Sequence, residues 1–238
     1  MSKTAARTRA NVDAEVASAL AWLKRHSSKT TRDGMARYAI PSDHALGVAM
    51  KDIKALGRKI GRSHQLAAAL WDTGIYEARM AASFVDDPAQ VTPAQMERWC
   101  RDFDNWAFCD ALSFNLFDRT PHAWDKVTES SARRREFEKR TAVALLWSLT
   151  VHDKTAGNEP FLHGLGLIER AAVDERHFVK KAVNMALRAI GKRNRALNAA
   201  AVKTARRLAA SEAPSARWVG TDALRELTSA SVARRLKA

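Results

Sequence analysis

Amphipathic segments follow one another along almost the whole chain, each with apolar residues at helical spacing. Glycine (10) and proline (6) are scarce among the 238 residues, so local propensities favour helix throughout. Prolines, and Ser, Thr, Asp or Asn caps, mark the breaks between segments. We therefore predict an all-α chain with helices near residues 12–26, 31–39, 42–60, 63–72, 74–86, 93–102, 104–118, 120–129, 132–151, 156–172, 175–193, 195–211 and 215–229.

Helices of this length, joined by short turns, suit an α-solenoid in which each helix pair buries its apolar face against the next pair. The sequence period is weak, so a globular helical bundle is the structural alternative. An apolar content of 46% is enough for a sizeable core. We predict a basic flexible arm over residues 1–10 and a single domain over residues 11–238.

The formal net charge is +14, and most of it lies near the C-terminus. Residues 175–238 contain 15 Lys or Arg against 4 Asp or Glu. This asymmetry indicates a polyanionic partner, with nucleic acid first and an acidic membrane surface or acidic protein second. Solvated basic helices without a partner are the alternative interpretation.

The sequence predicts a cytoplasmic, nucleoid-associated protein that needs no metal and no other cofactor. No apolar run approaches the ~20 residues of a membrane span, and the N-terminus lacks the apolar segment of a signal peptide. Cys100 and Cys109 have no CxxC spacing, so we expect free, packed thiols. The 7 histidines show no ligand spacing such as HExxH.

The stretch FDNWAFCDALSFNLF sets an acid, Asp110, in an aromatic stripe. Burying an unpaired carboxylate costs several kcal/mol, so either a basic partner neutralises it or the stripe lines a cleft. Trp106 lies one turn earlier, and the two side chains together can stabilise positive charge developing at a sugar carbon. An acid packed beside core aromatics is the plainer alternative. The aromatic residues within about 40° of Asp110 on a helix are Phe103, Trp106, Phe114 and Phe117.

Arg140, in EKRTAVALLWSL, repeats this pattern because it shares a helix face with Ala144, Trp147 and Val151. It is the natural partner for Asp110, since Arg pairs bidentately with carboxylates, although it can also grip a phosphate. A purely structural ion pair between adjacent helices is the alternative.

Further basic and polar residues predict a surface that contacts the backbone of a nucleic acid. Tyr38 precedes the break at Pro41 and either faces a cleft or packs in the core, and Lys51 and Lys54 either extend the basic track or are ordinary surface lysines. A polar ridge in segment 175–195 suits contacts to phosphates, with a solvated face as the alternative. The ridge consists of Lys181, Asn184, Arg188, Lys192 and Arg195, with Met185 at its border.

Taken together, these stretches resemble the AlkD-like family of DNA alkylation repair proteins. The matching pieces follow the family's order and span most of residues 35–227. They are MARY with KDI (residues 35–53), LWD (70–72), NWxxxD (105–110), EKRTAVALLW (138–147), FVKKAVNMALR (178–188) and SARWVGTDALREL (215–227).

The resemblance implies a curved α-solenoid of HEAT-like repeats, an α-α superhelix whose basic concave face holds duplex DNA. It implies a monomeric, metal-independent glycosylase that removes cationic purines such as 3-methyladenine and 7-methylguanine. By motif, Asp110 is expected to be the catalytic carboxylate, Trp106 an aromatic contact to the deoxyribose and Arg140 the third catalytic residue. Tyr38, and Arg217 within SARWVGTDALREL, are expected DNA contacts.

Two positions depart from the family pattern. Met185 stands where the family usually has tryptophan, which removes an aromatic wall of the cleft, and Ala107 stands where an acid is common. Activity is therefore expected to be weaker, or the substrate different. The sequence supports three hypotheses: a glycosylase of base excision repair, a non-catalytic module that binds damaged or structured DNA, and a helical scaffold for an acidic protein.

Overall fold

The computed structural model describes residues 9–236, and every regular element in that range is helical, as predicted. Two 3-10 turns, Met35–Tyr38 and Phe117–Arg119, accompany the α-helices. The α-helices are α1 (Arg9–Arg25), α2 (Lys29–Gly34), α3 (Met50–Ile60), α4 (His64–Asp72), α5 (Tyr76–Val85), α6 (Pro93–Arg101), α7 (Trp106–Asn115), α8 (Ala123–Ser131), α9 (Glu136–His152), α10 (Glu159–Ala171), α11 (His177–Gly191), α12 (Arg195–Ala209), α13 (Pro214–Leu227) and α14 (Ala230–Arg235).

The described residues form two compact units that divide between Met96 and Glu97, inside α6. The predicted arm over residues 1–10 lies mostly outside the described residues, although residues 9 and 10 already belong to α1. A single domain over residues 11–238 stays a prediction. No helix among residues 9–236 is long and apolar enough to cross a membrane.

In the first unit, α1, α3, α4 and α5 pack around a core of large apolar side chains. Helices α4 and α5 form an antiparallel pair, because the left-handed Gly74 reverses the chain between them. The fully buried members of the core are Leu23, Ile53, Leu66, Leu70, Trp71 and Met80. Burying such side chains stabilises the unit by about 1.5–3 kcal/mol each.

The predicted helix over residues 42–60 is wrong in its first half, since α3 begins only at Met50. The buried Glu77 of α5 accepts hydrogen bonds from the backbone N–H groups of Leu46 (2.9 Å), Gly47 (2.7 Å) and Val48 (3.2 Å). Gly47 has a φ of 81°, and a Cβ there would lie 2.2 Å from the carbonyl oxygen of Ser28. A carboxylate from another helix thus replaces the helical hydrogen bonds of this segment.

Glu77→Gln is expected to lower the free energy of unfolding by about 2–3 kcal/mol, because the amide must turn a donor toward a buried backbone N–H. Chemical denaturation followed by circular dichroism measures the change. Glu175→Gln, at an exposed position, is the matched control and should change stability by less than about 0.5 kcal/mol. Equal effects of the two substitutions would contradict the role assigned to Glu77.

In the second unit, alternate helices build two layers. Helices α7, α9, α11 and α13 contact one another in that order and form the first layer, while α8, α10 and α12 do the same and form the second. Contacts of α8 with α9, α10 with α11 and α12 with α13 join the layers. Each helix pair thus buries its apolar side against the next pair, as expected for a solenoid.

The layers approach each other closely at Gly220 of α13. A Cβ at this position would lie 2.2 Å from the backbone nitrogen of Ala209 and 2.6 Å from the carbonyl oxygen of Ala205, both in α12. Only a glycine lets the two backbones meet at this distance. The short helix α14 was missed by the sequence analysis, because Ser229 caps a new helix where the predicted helix over residues 215–229 continued.

Candidate nucleic-acid interface

Helix α7 presents Trp106 and Asp110 because of how it begins. The side chain of Asn105 accepts hydrogen bonds from the N–H groups of Ala107 (2.9 Å) and Phe108 (3.3 Å) and so caps the helix. Trp106 is therefore the first helical residue, and Asp110 follows one turn later on the same side. Both side chains are half-buried.

The predicted aromatic stripe on this helix is only partly correct. Helix α7 spans residues 106–115 instead of the predicted 104–118, so Phe103 and Phe117 lie beyond its ends. Both are packed in the core, at 4% and 0% exposure. Only Trp106 and Phe114 remain beside Asp110 on the accessible side of the helix.

Asp110 and Arg140 form the ion pair that the sequence predicted. The Arg140 guanidinium donates from Nη2 to both carboxylate oxygens at 2.8 Å and from Nε to Oδ1 at 3.2 Å. Its Nη1 donates to the backbone carbonyl of Phe178 at 2.6 Å. One side chain thus links α7, α9 and the first turn of α11.

The Asp110–Arg140 ion pair is largely buried. The Arg140 side chain is 4% exposed and that of Asp110 is 20% exposed, so the carboxylate is the member that solvent or a ligand can reach. Burial raises the pKa of Asp110 above its ordinary value, while the Arg140 guanidinium opposes the rise. The guanidinium carbon lies 5.8 Å from the centre of the Trp106 ring, within the range of a cation–π contact.

An aromatic row continues from this pair along α7 and α9. Phe114 meets the ring of Trp147 edge to face at 4.6 Å and that of His152 at 5.8 Å. The imidazole Nδ1 of His152 is hydrogen-bonded to the buried carboxylate of Asp118. These contacts fix the rings beside Asp110, so the half-buried surface they form has a defined shape.

The predicted ridge on α11 faces α13 and is paired with it. Asn184 is buried and donates to Asp222 at 2.7 Å. Arg188 lies 2.5 Å from Glu226, and Lys192 lies 2.7 Å from the same carboxylate. Their contact with DNA stays a prediction, and phosphates would have to compete with these two acids.

The other predicted residues of the second unit lie around this ridge. Met185 is half-buried on α11, and Lys181 is exposed there, with its Nζ 4.9 Å from the ring of Trp218 on α13. Arg217 is exposed on α13. Arg195 is separate from the α11 ridge, because α11 ends at Gly191 and Arg195 begins α12, where it donates to the carbonyl of Leu236.

Three predicted contacts belong to the first unit. Tyr38 ends the first 3-10 turn and is 63% exposed, so its side chain does not pack in the core. Lys51 and Lys54 are exposed on one side of α3. All three are accessible to a ligand, and their contact with DNA stays a prediction.

These observations match one group of known proteins. A family model described as DNA alkylation repair enzyme matches residues 19–227. The chain belongs to this family. No curated protein matches the sequence significantly. The family match confirms the resemblance drawn from the sequence motifs.

The chain is also similar to a solved structure described as "A new family of proteins related to the HEAT-like repeat DNA glycosylases with affinity for branched DNA structures". The TM-score is 0.72 at 19% sequence identity, over 80% of this chain and 82% of that chain. This family member therefore has the HEAT-like repeat helical fold, and the predicted repeat architecture, not a globular bundle, is confirmed.

Sequence reasoning missed two features of α13. One is the pair of acids that bind the ridge on α11, and the other is an exposed aromatic ring beside two lysines. Asp222 and Glu226 lie one turn apart in α13, on the side that meets α11. Trp218, one turn earlier, is 36% exposed, and the ammonium groups of Lys180 and Lys181 lie about 5 Å from its ring. The i, i+4, i+8 spacing of Trp218, Asp222 and Glu226 in the sequence was the available signal.

The two thiols are expected to be unreactive in the folded protein. Burial raises the pKa of Cys100 to about 12 and raises that of Cys109 as well. A thiol reagent at pH 8 should therefore modify neither group in native protein and both groups after unfolding in guanidinium chloride, because the thiolate is the reactive form. Rapid modification of the native protein would contradict the packing seen around these residues.

Proposed function

We propose that the chain is a monomeric DNA glycosylase that hydrolyses the N-glycosidic bond of cationic alkylated purines, such as 3-methyladenine and 7-methylguanine, in duplex DNA. The observation that carries the proposal is the accessible Asp110 carboxylate, held by Arg140 beside the ring of Trp106. Membership of a family of DNA alkylation repair enzymes supports the same class of reaction.

The chemistry requires little from the protein. Alkylation leaves a positive charge on the purine, so the bond electrons that pass to the base on cleavage neutralise that charge. The sugar becomes oxocarbenium-like, water adds its oxygen to C1′, and the proton of that water is released. Asp110 stabilises the developing positive charge and orients the water, because a carboxylate can accept from water while Arg140 occupies its other lone pairs.

The remaining residues position the substrate. Trp106 offers an apolar ring to the deoxyribose, and Arg140 favours the ionised form of the carboxylate against the effect of burial and fixes its direction. The exposed Tyr38, Lys51, Lys54, Lys181 and Arg217 are proposed to contact DNA, each Lys or Arg adding affinity that falls with salt. Arg188 and Lys192 exchange their acidic partners for phosphates on binding.

Release of free 3-methyladenine and 7-methylguanine from methylated duplex DNA tests the proposal. Asp110→Asn should lower the rate by about 10²–10³-fold, as expected for loss of one electrostatic group at the reacting centre. Asp125→Asn, an exposed acid on α8, should leave the rate unchanged. The proposal fails if Asp110→Asn releases base as fast as the parent protein.

A second candidate is a non-catalytic module that binds damaged or branched DNA. Two observations favour it: Met185 stands where the family usually has tryptophan, and both Asp110 oxygens already accept from Arg140. The similar solved structure is described as having affinity for branched DNA, at only 19% identity. Salt-sensitive binding to DNA without base release would select this candidate, and Met185→Trp is then the first substitution with which to seek activity.

The helical scaffold for an acidic protein is the third candidate. Among the described residues, only the basic surface supports it. Failure to bind duplex DNA at low salt would select it over both DNA-binding candidates.

A further inference from the structure

A cleft of about 550 Å³ lies in the second unit at the C-terminal ends of α9 and α11. Its charged lining residues are all basic, and no Asp or Glu of the described chain lines it. The basic residues are Lys154, Lys192, Arg193 and Arg235. This volume falls within the ~300–1,000 Å³ typical of small-molecule sites.

The four cations differ in how far their charge is neutralised. Arg193 donates to the carbonyl oxygens of Thr150 (3.0 Å), Asp153 (2.6 Å) and Ala156 (3.1 Å), so it is held rigidly by groups without net charge. Lys192 is paired with Glu226. Lys154 and Arg235 are exposed, and neither pairs with a carboxylate among residues 9–236. The C-terminal ends of α9 and α11 each contribute about half a negative charge here, which the three cations without a carboxylate partner, Lys154, Arg193 and Arg235, exceed. The cleft therefore retains a net positive charge that favours an anion.

Trp147 gives the cleft an aromatic wall. Its ring is half-buried, is held by the edge-to-face contact with Phe114, and neighbours the 41% exposed Val151 in the lining. Trp147 follows Arg140 by seven residues, which places it two turns, or about 10 Å, along α9 from the Asp110 pair. The cleft and the candidate active site thus share one helix face.

We propose that this cleft binds an unpaired nucleotide of DNA, with its phosphate on Lys154, Arg193 and Arg235 and its base against Trp147. Cations combined with an aromatic face are the arrangement by which proteins bind single-stranded DNA, because unstacked bases offer a free ring face. Bases inside a duplex are stacked and cannot reach such a wall. The proposal rests on the proposed function, in which duplex DNA binds beside Asp110 on the first layer. It adds that one strand leaves the duplex at the cleft.

Fluorescence anisotropy with three labelled DNAs tests the proposal: a blunt duplex, the same duplex with a single-stranded overhang, and a single strand of about ten nucleotides. The test variant is Lys154→Glu with Arg235→Glu, and the milder pair Lys154→Gln with Arg235→Gln serves if the first does not fold by circular dichroism. Lys203→Glu with Arg206→Glu, two exposed positions on α12, makes the same change in charge as a control.

We expect the parent protein to prefer the overhang DNA to the blunt duplex. The test variant should lose tenfold or more affinity for overhang DNA but less than threefold for blunt duplex, and its salt dependence on overhang DNA should fall by about one to two in log–log slope. The control should change both affinities alike. Equal losses on the two duplexes in the test variant, or no loss on overhang DNA, would overturn the proposal.

The same experiment separates this proposal from the proposed function. If none of the parent, test and control proteins binds blunt duplex at low salt, duplex recognition fails. Single-strand binding that the parent and the control retain and the test variant loses would still support the cleft. Competition by deoxyadenosine monophosphate identifies the source of the phosphate. A free nucleotide that competes as well as overhang DNA, per phosphate, would overturn the assignment to a DNA strand.

Discussion

Arg140→Met is expected to lower the free energy of unfolding by about 3 kcal/mol or more at pH 7.5. The substitution keeps much of the buried apolar stem but leaves the largely buried Asp110 carboxylate without its partner, and an uncompensated buried charge typically costs about 3–5 kcal/mol. It also leaves the Phe178 carbonyl without the Nη1 donor. Urea denaturation followed by fluorescence measures the change.

The loss should depend on pH in a direction that identifies its cause. Burial already raises the pKa of Asp110, and removing the opposing guanidinium raises it further. Between the unfolded pKa and this raised folded pKa, the folded state binds more protons than the unfolded state, so stability falls as pH rises. The penalty at pH 7.5 should therefore exceed that at pH 5.

The double variant Arg140→Met with Asp110→Asn is the matched control. It removes the uncompensated charge, so it should be more stable than Arg140→Met alone at pH 7.5 and should lose the extra pH dependence. A penalty that is the same at both pH values and unchanged in the double variant would mean that Arg140 acts through packing instead of charge.

Gly220→Ala is expected to cost about 3 kcal/mol or more, at the upper end of overpacking effects. The added Cβ would meet backbone atoms of α12 at 2.2 and 2.6 Å, and backbone cannot rotate away as a side chain can. The two helices must move apart, which opens the packing between the layers. Thermal unfolding measured by calorimetry gives the loss.

Gly166→Ala is the control for helix propensity. Gly166 is also inside a helix, but a Cβ there would have only the end of the Arg170 side chain nearby, at 3.8 Å. This substitution should be neutral or stabilise the protein by up to about 1 kcal/mol. Destabilisation by both substitutions to the same extent would contradict the close approach of α12 and α13.

The sequence predicted the helices where local signals agree with packing. Apolar periodicity and caps located α7, α9, α11, α12 and α13 within a few residues. The segment over residues 42–49 failed because its partner, the Glu77 carboxylate, is about 30 residues away and belongs to another helix. Local propensity carries no information about such a contact.

The candidate site was predictable for a related reason. A charge inside an apolar stripe is costly unless it is paired. Because Asp110 and Arg140 carry opposite charges in two such stripes, each residue predicts the other as its ion-pair partner. The ridge on α11 was harder, because its own helix gives no sign that Asp222 and Glu226 of α13 neutralise part of it. The basic cleft was not foreseen because its cations come from three separate helix ends.

The contacts across the first layer also fix the directions of its helices. Asp110 and Arg140 are both fifth residues of their helices, and so are Lys181 and Trp218, which also lie side by side. Arg140 also contacts Phe178 in the first turn of α11. Contacts further along the helices follow in the same order, since Phe114 meets Trp147, Arg193 meets Thr150 and Arg188 meets Glu226. Helices α7, α9, α11 and α13 therefore run parallel, and their macrodipoles add, each placing about half a positive charge at the N-terminal edge. The layer thus has an electrostatic polarity built into its backbone, which persists when surface lysines are replaced. The N-terminal edge near Asp110 attracts a polyanion through the backbone itself, whereas the C-terminal edge, where the basic cleft lies, attracts one only through its cationic side chains.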